Sequence, residues 1–229
     1  MKIKGNTAII TGSSGKLGSR IALALAERGC DCICHYNTNK AVAENLAGKI
    51  TAIGQKAWLV EADLTDEKQI DKLFRFDSKP TILINSAAIF ERIPIGEITQ
   101  KTAEKTFATN TIAPLLVSQA FVKNLAGVPR GKSPARIINI ADVGGQKPWA
   151  QYSLYCATKA ALIAMTQSLA KELAPGITVN AVSPGMVDTD GNCKDNTKKG
   201  IVPPEEVISA IMFLLENDHI TGQVMAVDN

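Results

Sequence analysis

Tyr155 and Lys159 stand four residues apart, as Tyr-x-x-x-Lys, inside a long stretch whose apolar residues recur with a helical period. A helix completes a turn in about 3.6 residues, so the two side chains share a face and come within mutual reach. A lysine ammonium beside a phenol favours the phenolate and lowers a pKa that is about 10 in isolation. Bringing that value to neutrality takes on the order of 4 kcal/mol, at about 1.36 kcal/mol per unit. Such a phenol gives and takes protons at pH 7. Two ordinary residues on a wet helix face have the same spacing. A nucleotide-binding turn near the start of the chain sets this pair apart.

That turn is Thr11-Gly12-Ser13-Ser14-Gly15-Lys16-Leu17-Gly18, between a strand-like run and a helical pattern. Glycines there let the backbone approach a pyrophosphate, and the first turn of the helix offers N–H groups to it. The end of the second strand selects the nucleotide, because NAD recognition usually places a carboxylate there for the ribose hydroxyls. Here the segment reads His35-Tyr36-Asn37-Thr38-Asn39-Lys40, without an acid. A 2′-phosphate would be held by Lys16 with help from His35 or Lys40. Two charge-assisted bonds of about 1.5–3 kcal/mol each give a preference of about a hundredfold or more. The expected cofactor is NADP(H). The plainer alternative leaves Lys16 a solvated helix-start residue and His35 a surface residue.

These residues need a scaffold, and the pattern of the chain supplies one. Strand-like runs fall at 7–10, 31–36, 57–61, 81–85, 136–140, 178–182 and 224–227. Helical patterns fall between them at 17–28, 40–53, 67–74, 101–125, 152–173 and 204–215, with Asp66 placed to cap the third. Near-continuous apolar strands alternating with helices imply a parallel sheet covered on both faces. Two polar gaps interrupt the pattern, at 127–134 and 189–200. The second follows a strand's carboxyl end, where such sheets bind ligands, and is expected to form a lid.

Bulk properties narrow the class. The 229 residues are 45% hydrophobic and 21% charged, as in a globular protein with one sizeable core. A net charge of +3, with no basic run among aromatics, gives no reason to expect nucleic acid. There is no run of about 18 apolar residues, so no membrane span is expected, and the opening residues predict no leader. An odd cysteine count of five fits a reducing, cytoplasmic setting. Cys30, Cys32 and Cys34 alternate along a strand, roughly 7 Å apart on one face. Neighbours so spaced cannot share tetrahedral zinc, with its bonds of about 2.3 Å, without distorting the strand. They read as buried and inert, and no metal is expected.

Together these parts resemble the short-chain dehydrogenase/reductase family over about residues 7–228. The family's turn is Thr-Gly-x-x-x-Gly-x-Gly. Thr11, Gly12 and Gly18 match it, and Lys16 stands in place of the middle glycine. The resemblance implies a Rossmann-type three-layer αβα sandwich with a seven-stranded, mostly parallel sheet, residues 1–229 forming a single NADP-binding domain. It implies cofactor contacts from Gly12, Ser14, Lys16, Leu17 and Gly18, from His35, Tyr36 and Asn37, and from Asp63 and Leu64 at the adenine. Asn85 and Ala87, in Asn85-Ser86-Ala87-Ala88, and Pro184-Gly185 would flank the nicotinamide. Tyr155 and Lys159 would hold its ribose. Asn110 would carry a water in a proton relay, and helices near 101–125 and 152–173 would pair subunits into a homotetramer.

One departure changes the expected chemistry. The family's serine, thirteen positions before the tyrosine, is here Asp142. An ionised aspartate cannot donate to a carbonyl oxygen and would repel the charge growing on it. It suits a C=N bond that becomes more cationic, stabilising the protonated nitrogen or passing a proton through water. With Lys16 and His35-Tyr36, this resembles the pteridine-reductase branch, which includes dihydromonapterin and dihydrofolate reductases of this fold. Phe90 would stack on a pterin ring beside Asp142 and Tyr155, or else pack beneath the site. The expected reaction is NADPH-dependent hydride transfer to C=N of a dihydropterin-like small molecule. The alternatives are reduction of a 3-oxoacyl thioester or small ketone, which a protonated Asp142 would permit, and a non-catalytic NADPH sensor.

Overall fold

The computed structural model describes residues 1–125, 135–189 and 201–228. Its strands are Thr7–Thr11 (β1), Asp31–Tyr36 (β2), Ala57–Glu61 (β3), Ile82–Asn85 (β4), Ala135–Ile140 (β5) and Ile177–Pro184 (β6), then the short Met186–Val187 (β7) and Ile201–Val202 (β8), and Val224–Val227 (β9). The α-helices are Lys16–Glu27 (α1), Lys40–Ala52 (α2), Glu67–Ile70 (α3), Gln100–Phe107 (α4), Ala113–Asn124 (α5), Ser153–Leu173 (α6) and Pro204–Glu216 (α7). Seven strands form one sheet in the order β3-β2-β1-β4-β5-β6-β9, and every pairing in it is parallel.

Strand alternation sorts the core into two layers. Ala8, Ile10, Cys32, Cys34, Ile84 and Ile138 face α1, α2 and α7. Ile9, Ile33, Leu83, Ile137 and Val179 face the other way, onto α3, α5 and α6. Cys30, Cys32 and Cys34 are fully buried in the first layer, and burial pushes the Cys30 and Cys34 thiols up to about 12. Among the described residues no helix is long and apolar enough to cross a membrane.

The chain winds outward from β1 to β3 and then crosses back to β4 on the other side of β1. A crevice therefore opens above the carboxyl ends of β1 and β4, where the strand order reverses. Two features differ from the sequence expectation. The helix expected over 101–125 is divided by a π-helical turn, Ala108–Ile112, in which the Ala113 N–H reaches back to the Ala108 carbonyl. Pro114 has no N–H to offer Asn110 four residues earlier, so the ladder widens there. The second is the parallel pair β7–β8, which joins Met186 to Ile201 and Val187 to Val202. Two-residue strands carry too little periodicity to be read from sequence. Of the expected lid at 189–200, all but Thr189 lies outside the described residues, as does the whole of the gap at 127–134.

Candidate active site

The glycine turn is shaped by close approaches. Gly12 has φ +66°, and a Cβ there would stand 2.7 Å from the Ala87 Cα. A Cβ on Gly18 would stand 2.3 Å from the Gly12 carbonyl oxygen. Only glycine lets the turn lie this close to both the segment after β4 and the start of α1. Thr11 Oγ1 accepts from the Ser86 and Ala87 N–H groups at 3.0 and 3.1 Å, pinning the turn to the end of β4. Gly15 precedes α1 without a side-chain cap, so the backbone of this turn is what the helix start presents to the crevice. A cavity of about 240 Å³ joins Gly12, Gly15, Lys16, Leu17 and Gly18 to Ser86, Ala88, Asp142, Tyr155, Lys159, Pro184 and Gly185. An extended dinucleotide needs such a site: bare backbone at one end, titratable side chains at the other.

The structure alters the expected role of His35. Its ring is buried, with Nδ1 accepting from the Gly12 N–H at 3.0 Å and Nε2 at 3.0 Å from the Ala62 carbonyl. Both nitrogens are engaged by backbone, so His35 cannot reach a 2′-phosphate. Strand alternation in a sheet covered on both faces was the available signal, since it places His35 on the same face as Ile33. Tyr36 is also largely buried and donates its hydroxyl to Glu61 at 3.2 Å. Asn37 is exposed beside it. Asp63 accepts from the Thr65 N–H and hydroxyl at 2.9 and 2.7 Å, and Leu64 is buried.

At the carboxyl end of β4, Asn85 donates to Asn139 Oδ1 at 2.9 Å and to Ser118 Oγ at 3.2 Å. Asn139 in turn donates to Thr166 at 2.8 Å, so buried amides tie β4, β5, α5 and α6 together. Asn110 lies in the π turn. Its side chain accepts from the Ile89 N–H at 2.7 Å and donates to the Ile89 carbonyl at 2.9 Å and to Thr158 Oγ1 at 3.1 Å. The Gly185 N–H donates to the Val227 carbonyl at 2.9 Å.

At the centre the structure overturns the acidic phenol. Tyr155 donates its hydroxyl to Asp142 Oδ2 at 2.8 Å, and Asp142 Oδ1 accepts from the Gly144 N–H at 2.7 Å. Lys159 donates instead to the Ile140 carbonyl at 2.8 Å, with its ammonium 5.7 Å from the centre of the tyrosine ring. Burial, followed by the charge and hydrogen bond of Asp142, pushes the Tyr155 pKa above its ordinary value. Burial also raises Asp142, against the opposing pull of Gly144, Tyr155 and Lys159. Lys159 falls to about 8 through burial, opposed by Asp142. The helical spacing put Tyr155 and Lys159 in reach of one another, but burial and the nearer carboxyl together hold the phenol's acidity down.

Two features here were not read from the sequence: the aromatic partners of Phe90, itself a candidate there, and one further carboxyl. Phe90, exposed at 59%, stacks on Tyr152 at 5.2 Å and meets Tyr155 edge-on at 4.8 Å, while Trp149 lies parallel to Tyr155 at 6.5 Å. Two of the chain's three tyrosines and one of its two tryptophans thus gather beside Asp142, a clustering visible in the segment 149–155. The second is Asp228, whose Oδ1 lies 2.3 Å from where a Gly185 Cβ would be and whose charge adds to the rise in Asp142. No motif marks it.

Comparison with known proteins bears on the whole chain. A galactitol 2-dehydrogenase from Agrobacterium fabrum is 37% identical over 100% of this chain and 98% of its own. An L-xylulose reductase from Caenorhabditis elegans is 32% identical, over 96% and 93%. Among solved structures, a blue fluorescent protein from a metagenomic library, in complex with NADPH, superposes with a TM-score of 0.87. It is 31% identical and covers 100% of this chain and 98% of that one. The family model described as short chain dehydrogenase matches residues 6–200. With its parallel sheet, glycine turn and Tyr155–Lys159 pair in one crevice, the chain belongs to the short-chain dehydrogenase family.

Proposed function

We propose that the protein is an NADP(H)-dependent reductase of a carbonyl compound, with Tyr155 as proton donor and Asp142 as second hydrogen-bonding group to the substrate oxygen. One observation carries the reading: the Tyr155 hydroxyl and the Asp142 carboxyl meet at 2.8 Å on the wall of the cavity that begins at the glycine turn. Relatives named for galactitol and L-xylulose favour a C=O substrate, and the NADPH in the similar fluorescent protein favours the phosphorylated cofactor. Lys16, on the turn itself, is the cation best placed for a 2′-phosphate.

Gly12, Ser14, Leu17 and Gly18 would hold the pyrophosphate, and Tyr36, Asn37, Asp63 and Leu64 the adenosine end. Asn85, Ala87, Pro184 and Gly185 would flank the nicotinamide, with Tyr155 and Lys159 at its ribose. When bound, the reduced nicotinamide supplies the hydride. The chain's own residues manage the proton. A substrate oxygen between Tyr155 Oη and Asp142 Oδ2 accepts from both when Asp142 is protonated, a state its raised pKa favours. Tyr155 then gives its proton to the new alkoxide. The Lys159 ammonium steadies the phenolate left behind, and Asn110 holds the Ile89 loop from which a relay water would be bound.

A second reading, reduction of C=N in a dihydropterin, is favoured by the same carboxyl in its ionised form and by the exposed Phe90 ring beside Tyr155. NADPH oxidation followed over ketoses, acetoin, a 3-oxoacyl thioester and dihydropterins separates the two. Turnover of carbonyl compounds alone supports the first; turnover of dihydropterins alone transfers the assignment to the second. NADPH bound without oxidation by any of them would leave a nucleotide sensor. We also propose a homotetramer paired through α4–α5 and α6, since Ile112 and Leu115 expose apolar surface at 50% and 41% there. Sedimentation tests it, and a monomer contradicts it.

A further inference from the structure

We propose that His35 is a positioning residue for the dinucleotide: its ring, in a single neutral tautomer, is the strut that holds the phosphate-binding turn in register with the ends of β2 and β3. The inference rests on the cofactor reading above and assigns to that site a residue that touches no ligand.

The tautomer follows from the partners. The Gly12 N–H can only donate, so the Nδ1 that faces it at 3.0 Å carries a lone pair. The Ala62 carbonyl can only accept, so the Nε2 that faces it at 3.0 Å carries the proton. Neither a protonated ring nor the other neutral form satisfies both contacts. Burial lowers the ring's basicity, opposed by the Ala62 hydrogen bond and the charge of Asp63. The backbone of His35 completes the clamp. Its carbonyl accepts from the Ser13 N–H at 2.8 Å and the Ser13 hydroxyl at 3.0 Å.

These contacts lie where the strands have just parted. Pairing of β1 with β2 ends at Ile10–Cys34, and pairing of β2 with β3 ends at Tyr36–Glu61. Beyond those points the ladders end: the Ala62 N–H still donates to the Tyr36 carbonyl at 3.1 Å before the chain leads into Asp63, while Gly12 has passed the last β1–β2 pair and needs φ +66° to pass Ala87. The imidazole bridges that gap and joins the pyrophosphate end of the crevice to the adenine end. Its effect falls on parts of the dinucleotide that NADPH and NADH share. A direct contact with the 2′-phosphate would act on NADPH alone.

The test compares dissociation constants for NADPH and NADH, by calorimetry, in the unaltered protein, His35→Leu and His35→Asn, with thermal unfolding recorded without dinucleotide. Asparagine can place an acceptor near the Nδ1 position, whereas leucine can offer Gly12 nothing. The expected result is a loss of about tenfold or more for both dinucleotides in His35→Leu, and affinities within about threefold of the original in His35→Asn. Nitrogen-15 spectra of the ring should report a protonated Nε2 and a bare Nδ1 at pH 7; the only other histidine, His219, is exposed. That signature stands even where a variant fails to fold. Undiminished affinity in His35→Leu, a loss confined to NADPH, or a proton on Nδ1 overturns the strut. No binding of either dinucleotide by the unaltered protein overturns the cofactor reading, and the strut with it.

Discussion

Tyr155 gives its hydroxyl hydrogen to Asp142 at 2.8 Å, and the cavity wall therefore carries one hydrogen shared by a phenol and a carboxyl. Removing the carboxyl should reverse the electrostatics. In Asp142→Asn the negative charge that raises Tyr155 is gone, and the tyrosine should titrate at lower pH than in the parent, read from phenolate absorbance against a Tyr155→Phe control. An unchanged titration would mean that burial alone sets it.

Asp142→Ser then separates the two substrates. A serine hydroxyl donates to a carbonyl oxygen at any pH, so carbonyl reduction should be kept or increased and should lose its decline at rising pH. In the parent that decline follows as Asp142 gives up its proton, at a pH above the ordinary carboxylate range. A variant that loses turnover by about a hundredfold would favour the C=N reading, in which the carboxylate stabilises a cation.

Lys159 offers a test by stability. Its pKa is about 8 in the fold against 10.5 as the ordinary value, so the unfolded chain binds more protons between those limits. The Lys159 contribution therefore rises with pH across about 8 to 10.5 and is lost as pH falls back across that window, while the raised pKa values of Cys30, Cys34 and Tyr155 contribute with the opposite sign. The full effect is on the order of 3 kcal/mol at about 1.36 kcal/mol per unit. Urea unfolding of the dinucleotide-free parent and of Lys159→Met at pH 8 and pH 10 isolates it: the stability of the parent relative to the variant should be higher at pH 10 than at pH 8. The same slope in both proteins would remove Lys159 as its source.

Gly12→Ala should cost about 1–3 kcal/mol, because a positive φ and a Cβ 2.7 Å from the Ala87 backbone both oppose it. Dinucleotide affinity should fall with it, since the turn must shift. Urea midpoints and dissociation constants check both, and a variant as stable and as tight-binding as the parent contradicts the close packing of the turn.

Much of this was legible in the residues. Apolar strands alternating with helical patterns located the seven strands of the sheet, and Thr11-Gly12 through Gly18 located the crevice. What escaped depends on direction. Spacing on α6 puts Tyr155 and Lys159 on one face, but not which neighbour each side chain will choose; Ile140 and Asp142 come from another strand end and decide it. His35 was assigned to a phosphate because its segment lacks acids, while the burial of both sheet faces turns its ring inward. The π turn at Asn110 was hidden in a helical pattern whose only irregularity is Pro114.

With His35 excluded, the proposed cofactor reading assigns the preference for the phosphorylated cofactor to Lys16. Lys16→Ala should lower the ratio of kcat/KM with NADPH to that with NADH by about tenfold, one charge-assisted bond's worth. An unchanged ratio would assign that preference elsewhere, with Lys40 the next cation to replace.

Tyr155→Phe is the most direct test, since it deletes one oxygen atom and leaves the turn, Lys159 and Asp142 in place. With NADPH and any substrate the parent reduces, turnover should fall by at least about a thousandfold, while NADPH affinity stays within a few fold. A variant that retains more than about a tenth of the parent rate would contradict the assignment of Tyr155 as proton donor.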